Sequence, residues 1–246
     1  MAWPRLRVEE SPVLLADTAA KWIHDRAWEV VNAQGRFTIA LSGGNTPRAL
    51  YTRLAAGPRL PWEKMDICFG DERAVPPDSP ESNYRMVRET LLQAPGLPPE
   101  RVHRMRAELP PEEAAREYEQ TLRGLFPTAA PFPRFDLILL GLGPDGHTAS
   151  LFPHSPGLSE RQAWVLANWV EKFGTHRLSL SFPVLDAGTA VLFLVAGADK
   201  EWALHQVLQG GASVVDVPAR GVHPATGALT FLVDRAAAAG LVLRSA

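Results

Sequence analysis

The stretch Phe135-Asp136-Leu137-Ile138-Leu139-Leu140-Gly141-Leu142-Gly143-Pro144-Asp145-Gly146-His147-Thr148-Ala149-Ser150-Leu151-Phe152-Pro153 joins two kinds of chain. Its first part is continuously apolar and does not alternate. That is the pattern of a strand covered on both faces, as in a parallel sheet flanked by helices. Its second part is broken by glycine and proline and carries an acid, a histidine and hydroxyl side chains. In sheets of this kind ligands bind beyond the carboxyl ends of the strands. The junction after Leu140 therefore predicts both the fold class and the place to look for a site.

Working outward, the same alternation recurs. Arg5–Glu9, Phe37–Leu41, Met65–Phe69, Trp164–Val170, Arg177–Phe182, Ala190–Ala196 and Leu229–Val233 read as strands. Between Val13 and Ala33, residues Leu14, Ala19, Trp22, Ile23, Ala27, Val30 and Val31 recur near helical spacing, and Gly35 ends the helix. Pro47–Ala55, a short segment ending at Leu92, Pro111–Leu125, Asp199–Leu208 and Asp234–Gly240 also read as helices. Glu112 and Glu113 lie in a first helical turn, where the dipole favours acids. The expectation is one Rossmann-like α/β domain over residues 1–246, with a mostly parallel central sheet and helices on both faces.

Bulk properties exclude several function classes. A chain of 246 residues can bury roughly 70–75% of its unfolded surface and needs no staple. A net charge of −2 gives no general field toward nucleic acid or anionic lipid. Only Lys21, Lys64, Lys172 and Lys200 are lysines, and the arginines are scattered rather than clustered. No nucleic-acid partner is expected. Cys68 is the only cysteine, in a strand-like run, and reads as a buried bystander in a reducing compartment. The N-terminus has no apolar stretch after its arginines, which argues against a leader. The longest uncharged apolar stretch, Thr189–Ala198, is far short of the ~20 residues of a spanning helix. A cytoplasmic protein without membrane contact is expected. The sequence gives no reading of oligomeric state.

Three strand-end loops hold the candidate chemistry. In Ser42-Gly43-Gly44-Asn45-Thr46-Pro47, glycine admits a close backbone approach, and a following helix start offers free N–H groups and roughly half a positive charge. Residues alone leave two readings open, a phosphate seat or a plain turn with a threonine cap. No Gly-Lys-Ser/Thr follows, so it is not a Walker A loop. Asp71-Glu72-Arg73 places charge directly after Met65–Gly70, at the same sheet end; a solvated loop is the other reading. Gly141–Gly146 fits G-x-G-x-x-G, but Pro153 cuts the helix a dinucleotide fold would need, and the match falls mid-chain. His147 is the stronger clue. An imidazole can accept a proton near pH 7, although a histidine bonded to backbone remains the alternative. His24, His103, His154, His176, His205 and His223 lack metal-ligand spacing. Neither a metal nor a cofactor is expected.

Together these loops resemble the glucosamine/galactosamine-6-phosphate isomerase superfamily, in its 6-phosphogluconolactonase branch. The resemblance rests on Leu41–Pro47, on Gly70-Asp71-Glu72-Arg73 with Ser82-Asn83-Tyr84, and on Gly141-x-Gly143-x-Asp145-Gly146-His147-Thr148-Ala149-Ser150-Leu151-Phe152-Pro153. Weaker echoes are Arg177, Gly197 with Lys200, Pro218-Ala219 and Asp234. Asn45 stands where the family usually has serine, and Lys172–His176 has less proline than is typical. The resemblance implies hydrolysis of 6-phospho-D-glucono-1,5-lactone, with a phosphorylated sugar lactone as the partner molecule. It implies catalytic roles for His147, Asp71 and Arg73. It implies substrate binding by Gly43, Gly44, Asn45, Thr46, Asp145, Gly146, Arg177 and Lys200. The deaminase branch usually has tyrosine after the Asp-Glu and an Asn-Glu-Pro-like segment after the histidine; Arg73 and Ser150–Pro153 stand there instead. A non-enzymatic phosphosugar sensor is a further alternative, and a dinucleotide-dependent dehydrogenase a more distant one.

Overall fold

The computed structural model describes residues 5–126 and 130–242. Met1–Pro4, part of the stretch read against a leader, lie outside the described residues. In chain order the strands and helices are β1 (Arg5–Glu9), α1 (Pro12–Gln34), β2 (Phe37–Leu41), α2 (Asn45–Ala56), β3 (Met65–Phe69), β4 (Asp71–Arg73), α3 (Asn83–Thr90) and β5 (Val102–His103). They continue as α4 (Pro111–Leu125), β6 (Leu137–Gly141), β7 (Val165–Val170), β8 (Thr175–Leu180), α5 (Phe182–Ala187), β9 (Ala190–Val195), α6 (Glu201–Leu208) and β10 (Ala228–Asp234).

Seven strands form a parallel sheet in the order β1-β10-β9-β6-β2-β3-β5. β9 is buried at every position, as its unbroken apolar run requires, and β2 and β3 are buried throughout with one polar residue each, Thr38 and Asp66. Helices flank the sheet. α1 is held at its start by Ser11, whose hydroxyl accepts from the Leu14 amide, and ends at Gly35 with φ 81°. Leu15, Ala19, Ile23, Ala27 and Val30 supply its buried stripe. Phe193 and Phe231 stack at 4.5 Å between neighbouring strands, a contact whose truncation to alanine typically costs about 3–5 kcal/mol.

Two buried tyrosines pin strand ends next to the loops of interest. The Tyr51 hydroxyl accepts from the Ser42 amide and donates to the Ser42 carbonyl. Tyr118 does the same at Phe69. Each satisfies backbone groups that the sheet leaves open where a strand stops.

The structure departs from the sequence expectation in three places. β7 and β8 leave the parallel sheet and join β4 in an antiparallel sheet of order β4-β8-β7. Asp71–Arg73 is thus a strand rather than a loop. The expected helix Asp234–Gly240 is a series of turns. There the buried Asp234 carboxylate accepts the Ala237 amide and the Gly197 amide, tying β10 to the loop after β9. The backbone bonds from Ala238 to Asp234 and from Leu241 to Ala238 close successive turns and do not continue into a helix. Phe182–Ala187, included in a strand at its first residue, is the short helix α5.

Candidate active site

The four neighbouring strands β9, β6, β2 and β3 all end at the same edge. The loops that follow them line a cavity of about 330 Å³. Ser42–Pro47 comes from β2, Asp71 and Arg73 from just past β3, Gly141–Pro144, His147 and Ala149 from β6, and Leu194–Ala196, Asp199 and Lys200 from β9. Of the residues expected from sequence, Gly43, Gly44, Asn45, Thr46, Asp71, Arg73, His147 and Lys200 meet at this cavity. Asp145, Gly146 and Arg177 stand behind its walls.

The loop after β6 is closed on itself. The Gly143 amide donates to the His147 carbonyl, the Gly146 amide donates to the Gly143 carbonyl, and the Thr148 hydroxyl donates to the Gly141 carbonyl. A Cβ on Gly143 would fall 2.0 Å from His147 Nδ1 and 2.7 Å from an Asp145 oxygen, so glycine makes room for that pair. Gly146 has φ 81° and packs against Val217, where a Cβ would meet a side-chain carbon at 2.8 Å. Its role is to shape the loop. His147 Nδ1 is 2.5 Å from Asp145 Oδ1. A carboxylate only accepts, so in the neutral ring Nδ1 carries the hydrogen and Nε2 keeps its lone pair. The imidazole stacks on Phe152 with centroids 4.1 Å apart and an angle of 22°. Burial works to raise the Asp145 carboxyl, but the hydrogen bond and charge of His147, with Lys172 at 3.0 Å, hold it well below the usual carboxylate range.

The triplet after β3 splits into different duties. Asp71 is nearly buried and accepts from the Ser150 hydroxyl at 2.7 Å. Glu72 turns away from the cavity. Its buried carboxylate accepts the amides of Arg73, Asn83 and Tyr84 and the Ser82 hydroxyl, which fastens the start of α3. Burial pushes its carboxyl up, against those donors. Arg73 donates to the Glu81 carbonyl and has no carboxylate partner within salt-bridge distance among the described residues. It lies directly opposite Arg177 in the β4–β8 ladder, a like-charge pairing that costs stability unless an anion relieves it. Burial, and then Arg73, lower the proton affinity of Arg177. Its buried Nε has no hydrogen-bond partner, and its guanidinium lies over the Phe173 ring at 4.9 Å.

In the loop after β2, the two glycines have different causes. Gly44 takes φ 107°, which disfavours any side chain. At Gly43 a Cβ would fall 1.9 Å from Asn83 Oδ1, so it admits a neighbouring side chain. α2 begins at Asn45 with no side-chain cap, leaving its first amides open toward the cavity lining. That observation favours an anion seat over the threonine-capped turn. Pro47 falls in the first turn rather than at its first position.

Sequence reading passed over Ser42, Ala149, Asp199 and Lys172. Ser42 and Ala149 stood inside quoted motifs but carried no distinguishing chemistry. Lys172 comes from a hairpin 27 residues after Asp145, and no local pattern announces that contact. No group of three or more His, Cys, Asp or Glu suited to a metal ion occurs among the described residues. No helix among them is long and apolar enough to cross a membrane.

The family model described as glucosamine-6-phosphate isomerases/6-phosphogluconolactonase matches residues 10–231. A 6-phosphogluconolactonase from Synechocystis sp. is 41% identical over 240 residues, covering 97% of this chain and 98% of the relative. One from Nostoc sp. is 43% identical over 213 residues, covering 86% and 87%. A solved 6-phosphogluconolactonase from Trypanosoma brucei superposes with a TM-score of 0.87 at 32% identity, covering 97% and 99%.

Proposed function

The chain belongs to the family of glucosamine-6-phosphate isomerases and 6-phosphogluconolactonases, and on that premise we propose that it opens 6-phospho-D-glucono-1,5-lactone with water activated by His147. It is a lactone hydrolase whose product is 6-phosphogluconate. The observation that carries the mechanism is the Asp145–His147 pair, which leaves Nε2 free on a residue lining the cavity.

In this reading Nε2 takes a proton from water as the water oxygen bonds to C1. The carbonyl oxygen becomes an alkoxide, and Arg73 stabilises it; one such donor is commonly worth about 3 kcal/mol. The alkoxide collapses, the C1–ring oxygen bond breaks, and the imidazolium returns its proton to the ring oxygen. The new carboxylic acid releases a proton to solvent. Positioned acid–base help of this kind is worth roughly 10²–10⁴ in rate. Asp71 orients water or a sugar hydroxyl. The open amides at the start of α2, with Lys200, hold the phosphate, and Arg177 adds positive charge behind Arg73. The reading treats residues 1–246 as one catalytic domain. A cytoplasmic location goes with it, which the lone buried Cys68 fits.

The test generates the lactone in place with glucose-6-phosphate dehydrogenase and follows its disappearance against the spontaneous background, with EDTA present. Acceleration that survives the chelator is expected. Well-folded protein that gives no acceleration, or that releases ammonia from glucosamine 6-phosphate instead, contradicts the reading.

A further inference from the structure

The turn joining β7 to β8 stays out of the cavity lining, yet it touches the Asp145–His147 pair by two routes. Lys172 Nζ lies 3.0 Å from Asp145 Oδ2, while His147 Nδ1 lies 2.5 Å from Asp145 Oδ1. One carboxylate therefore serves an ammonium on one oxygen and the imidazole on the other. On the second route, Phe173 meets Phe152 edge-on at 5.6 Å and 89°, and Phe152 is the ring stacked on His147. Arg177 from β8 lies over Phe173 and braces it. Gly174, with φ 58°, lets the chain reverse directly after these two residues.

We infer that Lys172 is a positioning residue that shares the Asp145 carboxylate with His147 and so divides the negative charge the imidazole meets, with Phe173 holding the turn against the stacked rings. A carboxylate beside an imidazole favours the imidazolium, and an ammonium on the same carboxylate offsets that preference. Without it, the charge of Asp145 acts on the ring undivided, and the base form is reached only at higher pH. Lys172 is more than half exposed, so its charge acts through solvent, and a shift of about half a pH unit is expected.

Other charges line the same cavity as His147 or lie near its turn. Asp71 and Arg73 come from β4, and Asp199 and Lys200 from the segment after β9. Arg177 lies beyond Phe173, and Glu171 on the same turn accepts from the Trp169 indole. All of them are retained in a Lys172 variant, so the difference reports Lys172.

The consequence for turnover rests on the lactonase reading, whereas the proton affinity of His147 does not. The experiment is an NMR titration of the His147 imidazole in wild type, Lys172→Met and Lys172→Arg, each at low salt and at about 1 M salt, where the Debye length is roughly 3 Å. Lys172→Met is expected to titrate about half a pH unit higher at low salt, with Lys172→Arg at the wild-type value and the gap closing at high salt. The acid limb of kcat/KM should move with it. A Lys172→Met imidazole that titrates with wild type at low salt overturns the inference, as does a Lys172→Arg variant that shifts equally. Neither result depends on turnover, so a failed lactonase assay leaves this test standing.

Discussion

The two ends of the seven-stranded sheet carry similar side chains and use them differently. At the amino end, Asp66 on β3 meets Arg36 at 2.6 Å, Arg101 at 2.9 Å and His103 at 2.9 Å. Beside it Asp136 accepts the Thr38 amide, the Thr38 hydroxyl and Gln34. The cations there close on a single buried carboxylate, and only Arg36 Nη2 among them is buried without a partner. At the carboxyl end, Arg73 and Arg177 face one another, Arg177 keeps an unpartnered Nε, and the open start of α2 adds positive potential to a cavity. A charged cluster becomes a site where pairing is left incomplete around a space. Where the cations close on a buried carboxylate, as around Asp66, the same residue types act as a clasp.

That contrast can be broken by substitution. The largest effect is expected at His147: His147→Ala should lower kcat by roughly 10²–10⁴ with little change in Tm, since the side chain is partly exposed and its loop is closed by backbone bonds. Next comes Gly143→Ala. Its methyl would overlap Nδ1 of His147, and displacing a catalytic group by about 1 Å costs on the order of 10² in rate. Steady-state kinetics beside a thermal melt checks both. Arg177→Met should raise KM by about threefold, since its charge acts from behind Arg73 without touching the cavity, while Tm stays level or rises because the opposed cations are separated. A fall in Tm with unchanged KM would make Arg177 a structural residue.

The amino end should answer in the other currency. Asp66→Asn is expected to lose about 2 kcal/mol, because removing one member of a largely buried cluster leaves the others uncompensated, with kcat/KM unchanged. Burial works to raise the Asp66 carboxyl, but the hydrogen bonds from His103 and Arg36 and the arginine charges hold it below its usual value. A carboxyl depressed in the folded state adds stability that is fully present above its unfolded pKa of about 3.9 and is lost as pH falls through the folded value. Urea melts of wild type and Asp66→Asn should therefore differ at pH 7 and converge as the pH is taken below about 4. Of the expected effects this is the smallest on turnover.

Much of the architecture was legible because it is written in long runs. Leu137–Leu140 and Ala190–Val195 are unbroken apolar segments, Phe37–Leu41 is interrupted only by Thr38, and burial on both faces is the physical meaning of that pattern. The antiparallel sheet was not legible. β4 is three polar or charged residues with no period, and it exists only because β8, more than a hundred positions later, pairs with it. The alanines after Asp234 favoured a helix, and Asp234 caps a first turn as at a helix start, but the backbone closes only successive turns before Leu241. Within the site, His147, Asp145, Asp71 and Arg73 were marked by their position at strand ends. Glu72 read as part of that polar group until its three amide partners placed it under α3. Lys172 gave no signal, since a single lysine in a turn acquires its meaning from where the hairpin folds.

The measurement that tests the division between the two ends most directly is lactone disappearance at pH 7 for wild type, His147→Ala and Asp66→Asn, side by side and with folding verified. The account predicts a loss of roughly 10²–10⁴ for His147→Ala and a rate within about twofold of wild type for Asp66→Asn, since Asp66 lies at the sheet end away from the cavity. A folded His147→Ala protein that turns over near the wild-type rate would contradict it.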